Sequence, residues 1–341
     1  MTPMSEQAVE HILTTVPRLT IGVLGDLFLD RYLDLDAALT EPSLETGLDA
    51  YQVVRVRAYP GAAGTVVNNL VALGVGRVMP LAVIGDDGEG YELHQALAAM
   101  PGVDTSAVFT WPGRRTPTYT KPMLHEAGQE ARELNRLDIH NRTPLPIEAE
   151  RHLLELLIEA GANLHGLVVL DQVSQPECGV VTTRVRMLVR GFGDVGRFPV
   201  LADSRERIGL FQGVCLKPNH RECLRAVGQA EDDLSALVTR LSRQAGAAVF
   251  CTRGEQGILL GKPEQAAPIE VPGYPVTGPI DPVGAGDSTS AGIICALASG
   301  LGHEEAAAFG NLVASITVQQ LGTTGTATPE QVRQRFREVA G

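Results

Sequence analysis

Asp281-Pro282-Val283-Gly284-Ala285-Gly286-Asp287-Ser288-Thr289-Ser290-Ala291-Gly292 is the stretch on which the reading of this chain turns. Two glycines around an alanine let the backbone turn its N–H groups inward. The small residues that follow continue as a helix over 287–299 whose positive end faces the same point. An anion belongs there, with Gly284, Ala285 and Gly286 as its candidate amides. The carboxylate of Asp287 then stands within a residue of that anion, where it is disfavoured unless it has a proton to receive or a cation beside it. A phosphate next to a base points to phosphoryl transfer to a hydroxyl. No Lys-Ser/Thr pair follows the glycines, so the loop is not of the P-loop type.

Outward from this stretch, short apolar runs alternate with longer segments of helical period, the pattern of repeated βα units. Strands are expected at 20–24, 79–84, 167–170, 200–202, 214–216, 248–251 and 258–260. Helices are expected at 62–73, 89–100, 147–160, 232–245, 287–299, 304–320 and 329–339, the last capped by Thr328 with Pro329 at its first position and Gln331 closing a capping box. The 341 residues are 44% apolar and only 4% aromatic, the usage of close-packed helix and parallel-sheet layers rather than of a hairpin sandwich. Residues 31–60 and 104–141 break the rhythm with alternating Thr, Tyr, Val and charge. They read as strands outside the main sheet, either a small β-lid or two ordinary hairpins.

A net charge of −12 argues against a nucleic-acid or membrane-binding face. No segment reaches membrane-spanning length, and a cytoplasmic protein is expected. The five cysteines lack zinc-type spacing and read as reduced thiols packed as small apolar residues. The histidines form no HExxH or similar set, and neither GxSxG nor a Cys-His signature supports a covalent hydrolase.

Gly25-Asp26 ends the first strand and Asp30 follows four residues on, at the sheet edge where open α/β folds bind ligands. Carboxylates there suit a polyol, because they accept hydrogen bonds from paired hydroxyls. Asp34 and Asp36 read as a solvated face. Gly61-Ala62-Ala63-Gly64-Thr65 enters a helix, so its backbone either approaches a small ligand or simply packs closely. Lys217-Pro218-Asn219-His220-Arg221-Glu222 follows a strand and opens a helix. It offers Asn219 as a polar contact and Glu222 as a carboxylate near a metal, or else a helix cap. Cys251-Thr252-Arg253-Gly254-Glu255-Gln256-Gly257 reads alone as a turn between two strands.

Together these motifs resemble the ribokinase, or PfkB, family of carbohydrate kinases. DPVGAGDSTSAG at 281–292 is similar to that family's C-terminal signature and GAAGTVVNNLVALG at 61–74 to its N-terminal one. IGDDGEG at 84–90, KPNHRE at 217–222, CTRGEQG at 251–257 and LGTTGTATPE at 321–330 follow in the family's order, over roughly residues 18 to 340. GDLFLDRY at 25–32, TPTYTKP at 116–122 and NRLD at 135–138 resemble the heptose-phosphate kinase branch. The family usually has a second glycine where Ala62 stands and an asparagine where Thr65 stands, so the acceptor site departs from the pattern.

The resemblance implies a single ribokinase-like domain over 1–341, a three-layer α/β/α sandwich with a mostly parallel sheet and a β-lid. It implies ATP and Mg²⁺ as cofactors, with K⁺ beside the anion loop. Asp287 becomes the general base, and Asn219 and Glu222 organise magnesium and phosphates. Thr252, Gly254 and Gly257 form the nucleotide turn, and Asn311 borders the adenine. Asp281, the Val283 carbonyl and the loop near Gly322 contribute to the monovalent site. Asp26 grips sugar hydroxyls, with Asp30, Gly61, Ala62 and Thr65 around the acceptor. The acceptor is a sugar or a sugar phosphate; if it carries a phosphate, Lys121 and Arg136 are the nearest cations to meet it. A non-catalytic sugar or nucleotide sensor and a nucleoside kinase of the same fold are the alternatives. Strands of a lid can pair between copies, so a homodimer is expected.

Overall fold

Runs such as Leu167-Val168-Val169-Leu170 have no polar face, which requires a strand covered on both sides. The computed structural model describes residues 4–228, 233–322 and 324–340. In it every residue of the strand Gly166–Asp171 is buried. Among the described residues the strands are β1 (Thr20–Gly25), β2 (Leu27–Pro42), β3 (Asp49–Ala62), β4 (Arg77–Gly85), β5 (Val108–Trp111), β6 (Thr118–His125), β7 (Arg132–Glu133), β8 (Leu137–Ile139), β9 (Gly166–Asp171), β10 (Val200–Ser204), β11 (Cys215–Leu216), β12 (Val249–Thr252), β13 (Ile258–Gly261) and β14 (Ile269–Val271). The helices are α1 (Glu6–Thr15), α2 (Ala63–Ala72), α3 (Gly88–Ala98), α4 (Ile147–Gly161), α5 (Thr183–Val195), α6 (His220–Val227), α7 (Leu234–Ala245), α8 (Ala285–Ala298), α9 (His303–Thr317) and α10 (Pro329–Ala340).

The main sheet runs β14-β13-β12-β11-β10-β9-β1-β4-β5. It is parallel from β5 to β12, and β13 and β14 close it antiparallel. Helices cover both of its faces, giving the α/β/α layering that the βα rhythm predicts. The strand order reverses between β9 and β1, so the sheet's switch point lies beside the carboxyl end of β1. Helix α8 is buried through most of its circumference, and it packs so closely on α9 that a Cβ on Gly292 would lie 2.9 Å from the Gly310 Cα. The Thr328 cap and the Gln331 side chain bond one another's backbone N–H groups, as expected. The expected helix start at Asp232 lies outside the described residues.

A second sheet, ordered β3-β2-β6-β7 with β8 on β6, is built from 27–62 and 118–139. The expectation of a lid over 31–60 and 104–141 therefore needs correction at its edges. Val108-Phe109-Thr110-Trp111, inside the second stretch, pairs in parallel with β4 and is the last strand of the main sheet. Strand β2 already begins at Leu27. A register shift between Asp34 and Leu35 keeps the faces of the β2–β3 hairpin distinct. One face carries Asp30, Tyr32, Asp34, Arg57, Tyr59 and Lys121; the other carries Leu33, Leu35, Val53 and Val56.

The hairpin hands over to α2 through Gly61 and Ala62. A Cβ on Gly61 would lie 2.5 Å from the Asp30 Oδ2, so only glycine lets that carboxylate approach. Ala62 adopts φ 52°, ψ −115°, a region that a Cβ disfavours and glycine tolerates. The backbone thus keeps a glycine conformation on an alanine. Ala62→Gly should raise stability by about 1 kcal/mol, since relief of strain outweighs the added unfolded-state entropy. Urea denaturation checks this, and a lower midpoint would show that Ala62 is unstrained.

Candidate active site

Parallel strands deliver their carboxyl ends to one edge, and neighbouring registers decide which side chains meet there. Ala202 pairs with Leu216, so the next residues, Asp203 and Lys217, stand side by side. The Lys217 Nζ lies 2.8 Å from the Asp203 Oδ2, with Lys217 only 4% exposed. Burial alone would push this ammonium down, but Asp203, Glu222 and Asp287 outweigh it and raise it. The lysine remains charged. It also reaches the anion loop, because a Cβ on Gly286 would be 3.6 Å from its Nζ.

That loop is shaped by Gly284, whose φ of +78° places it in the left-handed region at the start of α8. The Ala285 N–H donates to the Pro282 carbonyl at 3.1 Å. The Gly284, Gly286 and Asp287 amides have no such internal bond among the described residues, and the latter two sit on the first turn of the helix, where N–H groups lack intrahelical acceptors. The Asp287 carboxyl is pushed up to about 7, first by desolvation and then by Asp203, against the pull of Lys217 and Arg205. A carboxylate poised near neutrality, two amides and an ammonium thus converge on one point.

Asn219 and Glu222 form the helix cap that was the alternative to ligand binding. The Asn219 Oδ1 accepts the Glu222 N–H at 3.0 Å, and the Glu222 Oε2 accepts the Asn219 N–H at 2.8 Å. The cap also aims both residues. Asn219 lines a cleft of about 570 Å³ with His220, Arg221, Thr252, Arg253 and Gly254. Glu222 is raised first by burial and further by Asp203, which places the two carboxylates in one field. Gly257 and Asn311 do not line this cleft. Gly257, at φ +82°, is pressed against Gly273, and the Asn311 Nδ2 donates to the carbonyls of Val271 and Pro272 at 3.1 and 3.0 Å. They brace the turn from behind.

On the acceptor side the two carboxylates of the first strand part company. Asp26 is 3% exposed, and its oxygens accept the N–H groups of Gln172, Val173 and Val180 at 3.1, 3.2 and 2.6 Å. Burial pushes it up to about 6, with Asp171 adding to the rise. It clamps the 172–180 loop. Asp30 is the carboxylate beside Gly61, and the Lys121 Nζ is 3.8 Å from it. Lys121 also donates to the Tyr32 hydroxyl at 3.1 Å. Arg136 stacks on Tyr119 at 4.2 Å and pairs with Asp138 at 2.7 Å. Burial raises Asp30 against the attraction of both Lys121 and Arg136, which places the three groups in one field. Thr65 is buried in α2 and adds no exposed polar group to the site. Asp34, expected on a solvated face, is buried and held by Arg57 at 2.8 and 3.0 Å.

Asp281, Val283 and Gly322 lie together at the loop before α8. The Asp281 carboxylate accepts the Val283 N–H at 3.0 Å and the Gly322 N–H at 3.1 Å. For a divalent ion, Glu222 and Asp203 are hard oxygen donors beside the start of α8, and no group of three or more His, Cys, Asp or Glu forms a metal cage among the described residues. That donor set suits magnesium, which takes one or two carboxylates and completes its shell with water and phosphate oxygens. Lys217 and Asp203 were not singled out from sequence as site residues. Their signal was a charge placed directly after an apolar strand, on two strands that turn out to be neighbours.

The pfkB family carbohydrate kinase profile matches residues 32–331. The chain is 33% identical over 333 residues to the bifunctional protein HldE of Pelobacter propionicus, and 31% identical over 338 residues to that of Trichlorobacter lovleyi. Each match covers 96% of this chain and 65% of the relative, so the chain spans about two-thirds of those proteins' length. Arabidopsis thaliana ribokinase complexed with ribose and ATP superposes with a TM-score of 0.67 at 17% identity, covering 94% of this chain and 99% of that one. Escherichia coli phosphofructokinase-2 in complex with substrates and products gives 0.67 at 20% identity, covering 95% and 99%. The fold is ribokinase-like, and the chain belongs to the pfkB family of carbohydrate kinases.

Proposed function

We propose that this kinase moves the γ-phosphoryl group of ATP to a hydroxyl of a sugar that already carries a phosphate, with Asp287 as the base. One observation carries the reading: an Asp287 carboxyl near 7 beside the Gly286 and Asp287 amides and the Lys217 ammonium. A base of that affinity takes an alcohol proton at neutral pH, while the amides and Lys217 receive the charge that develops on the phosphoryl oxygens. Loss of one such donor typically costs about 3 kcal/mol, roughly a hundredfold in rate.

The ATP phosphates enter from the Asn219–Thr252 cleft toward the start of α8. Glu222 and Asp203 would hold magnesium, which would offset phosphate charge, and Asp281, Val283 and Gly322 would line a potassium site beside the loop. Asp30 accepts hydrogen bonds from the sugar, and Lys121 and Arg136 receive its phosphate. A heptose phosphate is the first acceptor to test, on the branch resemblance of GDLFLDRY and TPTYTKP. The second sheet covers the acceptor and keeps water from the transferring group.

ADP release measured over a panel of sugars and sugar phosphates, with ATP and Mg²⁺, should single out a sugar phosphate. Asp287→Asn should lower kcat by about 10²–10⁴-fold with ATP affinity kept. A near-normal rate would remove Asp287 as base. Tight sugar binding without ADP release would favour a sensor.

Because the base must be ionised, activity should fall as pH drops through about 7, the value to which desolvation and Asp203 push Asp287. Asp203→Asn removes a neighbouring negative charge, so the acid limb of kcat/KM should move to lower pH. An unmoved limb would assign it to another group.

The apolar face of the second sheet leaves Val53 and Val56 about half exposed, with Leu39 and Tyr51 nearby in the same hairpin. We infer that two copies bury these faces against each other as a homodimer. Light scattering should report a dimer that Val53→Asp with Val56→Asp converts to monomer. A monomeric parent protein would overturn this.

A further inference from the structure

Two of the five cysteines touch across the nucleotide wall. Cys223 lies on the first turns of α6 and Cys251 on β12, with sulfurs 3.5 Å apart, both fully buried and not bonded as a disulfide. Among the described residues no other pair of sulfurs comes within hydrogen-bonding distance. Each cysteine adjoins a residue of the site: Cys223 follows Glu222 and Cys251 precedes Thr252. The same two elements are tied at the wall itself, where the Thr252 N–H donates to the Pro218 carbonyl at 2.9 Å and Asn219 bridges to Thr252. The sulfur pair therefore sits directly behind the junction that gives the cleft Asn219, Thr252 and Gly254.

We propose that Cys223 and Cys251 are a reversible redox modification site, joined as a disulfide by a peroxide, and that the bond weakens nucleotide binding. In the first step one sulfur attacks a peroxide oxygen. The O–O bond breaks, the thiol proton leaves with the departing oxygen as water, and a sulfenic acid remains. In the second step the other sulfur attacks the sulfenic sulfur, and the hydroxyl leaves with the second thiol proton as water. Two thiols are oxidised by two electrons, and one hydrogen peroxide is reduced to two waters.

The consequence follows from distance. An S–S bond is about 2.05 Å long, so its formation draws the two sulfurs together by about 1.5 Å. On this proposal the closure draws α6 toward β12, and Asn219 and Glu222 ride on the turn that moves. Displacements of that size at positioning residues are enough to spoil a phosphate site. Both sulfurs are fully enclosed in the closed wall. The closed wall therefore protects the pair, and oxidation proceeds when α6 parts from β12. A bound nucleotide spans that junction and holds it shut.

The inference rests on the nucleotide reading of this cleft, and the test separates the two. The full-length protein is treated with hydrogen peroxide with and without ATP, digested after alkylation and analysed by mass spectrometry, while calorimetry measures ATP affinity before treatment, after it and after dithiothreitol. The expected result is a Cys223–Cys251 cross-linked peptide that forms more slowly with ATP present. ATP affinity should fall about tenfold and return on reduction. Cys223→Ala and Cys251→Ala should each bind ATP like the parent protein and keep that affinity in peroxide. A reduced protein that binds ATP but forms no such cross-link would overturn the proposal, as would a cross-link that leaves ATP affinity unchanged. A reduced protein that binds no ATP would remove both the nucleotide reading and the effect assigned to the bond.

Discussion

The buried ion pair between Lys217 and Asp203 is the interaction around which this site is arranged. Three carboxylates, Asp203, Glu222 and Asp287, share one end of the sheet, and burial first, then the charge of Asp203, raises the latter two. Without a cation among them at least one would hold a proton throughout the neutral range. Lys217 supplies that cation at 2.8 Å from Asp203 and beside Gly286. Such a pair is weak evidence of stability, since desolvation offsets much of its attraction, whereas removal of one partner typically costs about 3–5 kcal/mol. Its value here is electrostatic. It brings a fixed positive charge to the anion loop and leaves Asp287 near neutrality rather than far above it.

The acceptor side is held by backbone geometry instead of by charge. Asp26 gathers three N–H groups of the 172–180 loop, and Arg207 completes the clamp from the other side. It pairs with Asp171 and donates to the Ser174 carbonyl at 2.7 Å and to the Val173 carbonyl. Gly61 lets Asp30 lie against the chain, and Ala62 bears the strain of the turn. Strain of this kind persists only where the surroundings over-determine the conformation. The β2–β3 hairpin and the start of α2 do so here, through the Ala63 N–H bond to the Asp26 carbonyl at 3.1 Å.

What was legible in the sequence was local, and what escaped depended on contacts between distant segments. The central strands were readable because burial on both faces leaves uniformly apolar runs. The start of α8 was readable because Gly284, Gly286 and Asp287 carry their meaning within four residues. Helix α5 escaped notice because arginines and glycines interrupt its apolar stripe, although Thr182 caps it. Strand β5 was assigned to the lid because Val108-Phe109-Thr110-Trp111 reads equally well in either sheet, and only pairing with β4 decides. The partners of Asp26 are not legible locally either: they are amides about 150 residues away, at separations of 146, 147 and 154 residues.

The same logic explains why Lys217 and Asp203 were missed as a unit. Fourteen residues apart in the chain, they become neighbours only through the Ala202–Leu216 register. A shift of one residue would turn either side chain to the opposite face of the sheet. That register is secured by apolar burial, since Leu201, Ala202 and Leu216 are all fully enclosed. The hydrophobic pattern of two short strands therefore determines where the charge of the site stands. In this fold the electrostatics of the candidate site are set by the apolar packing of the residues beside its charges.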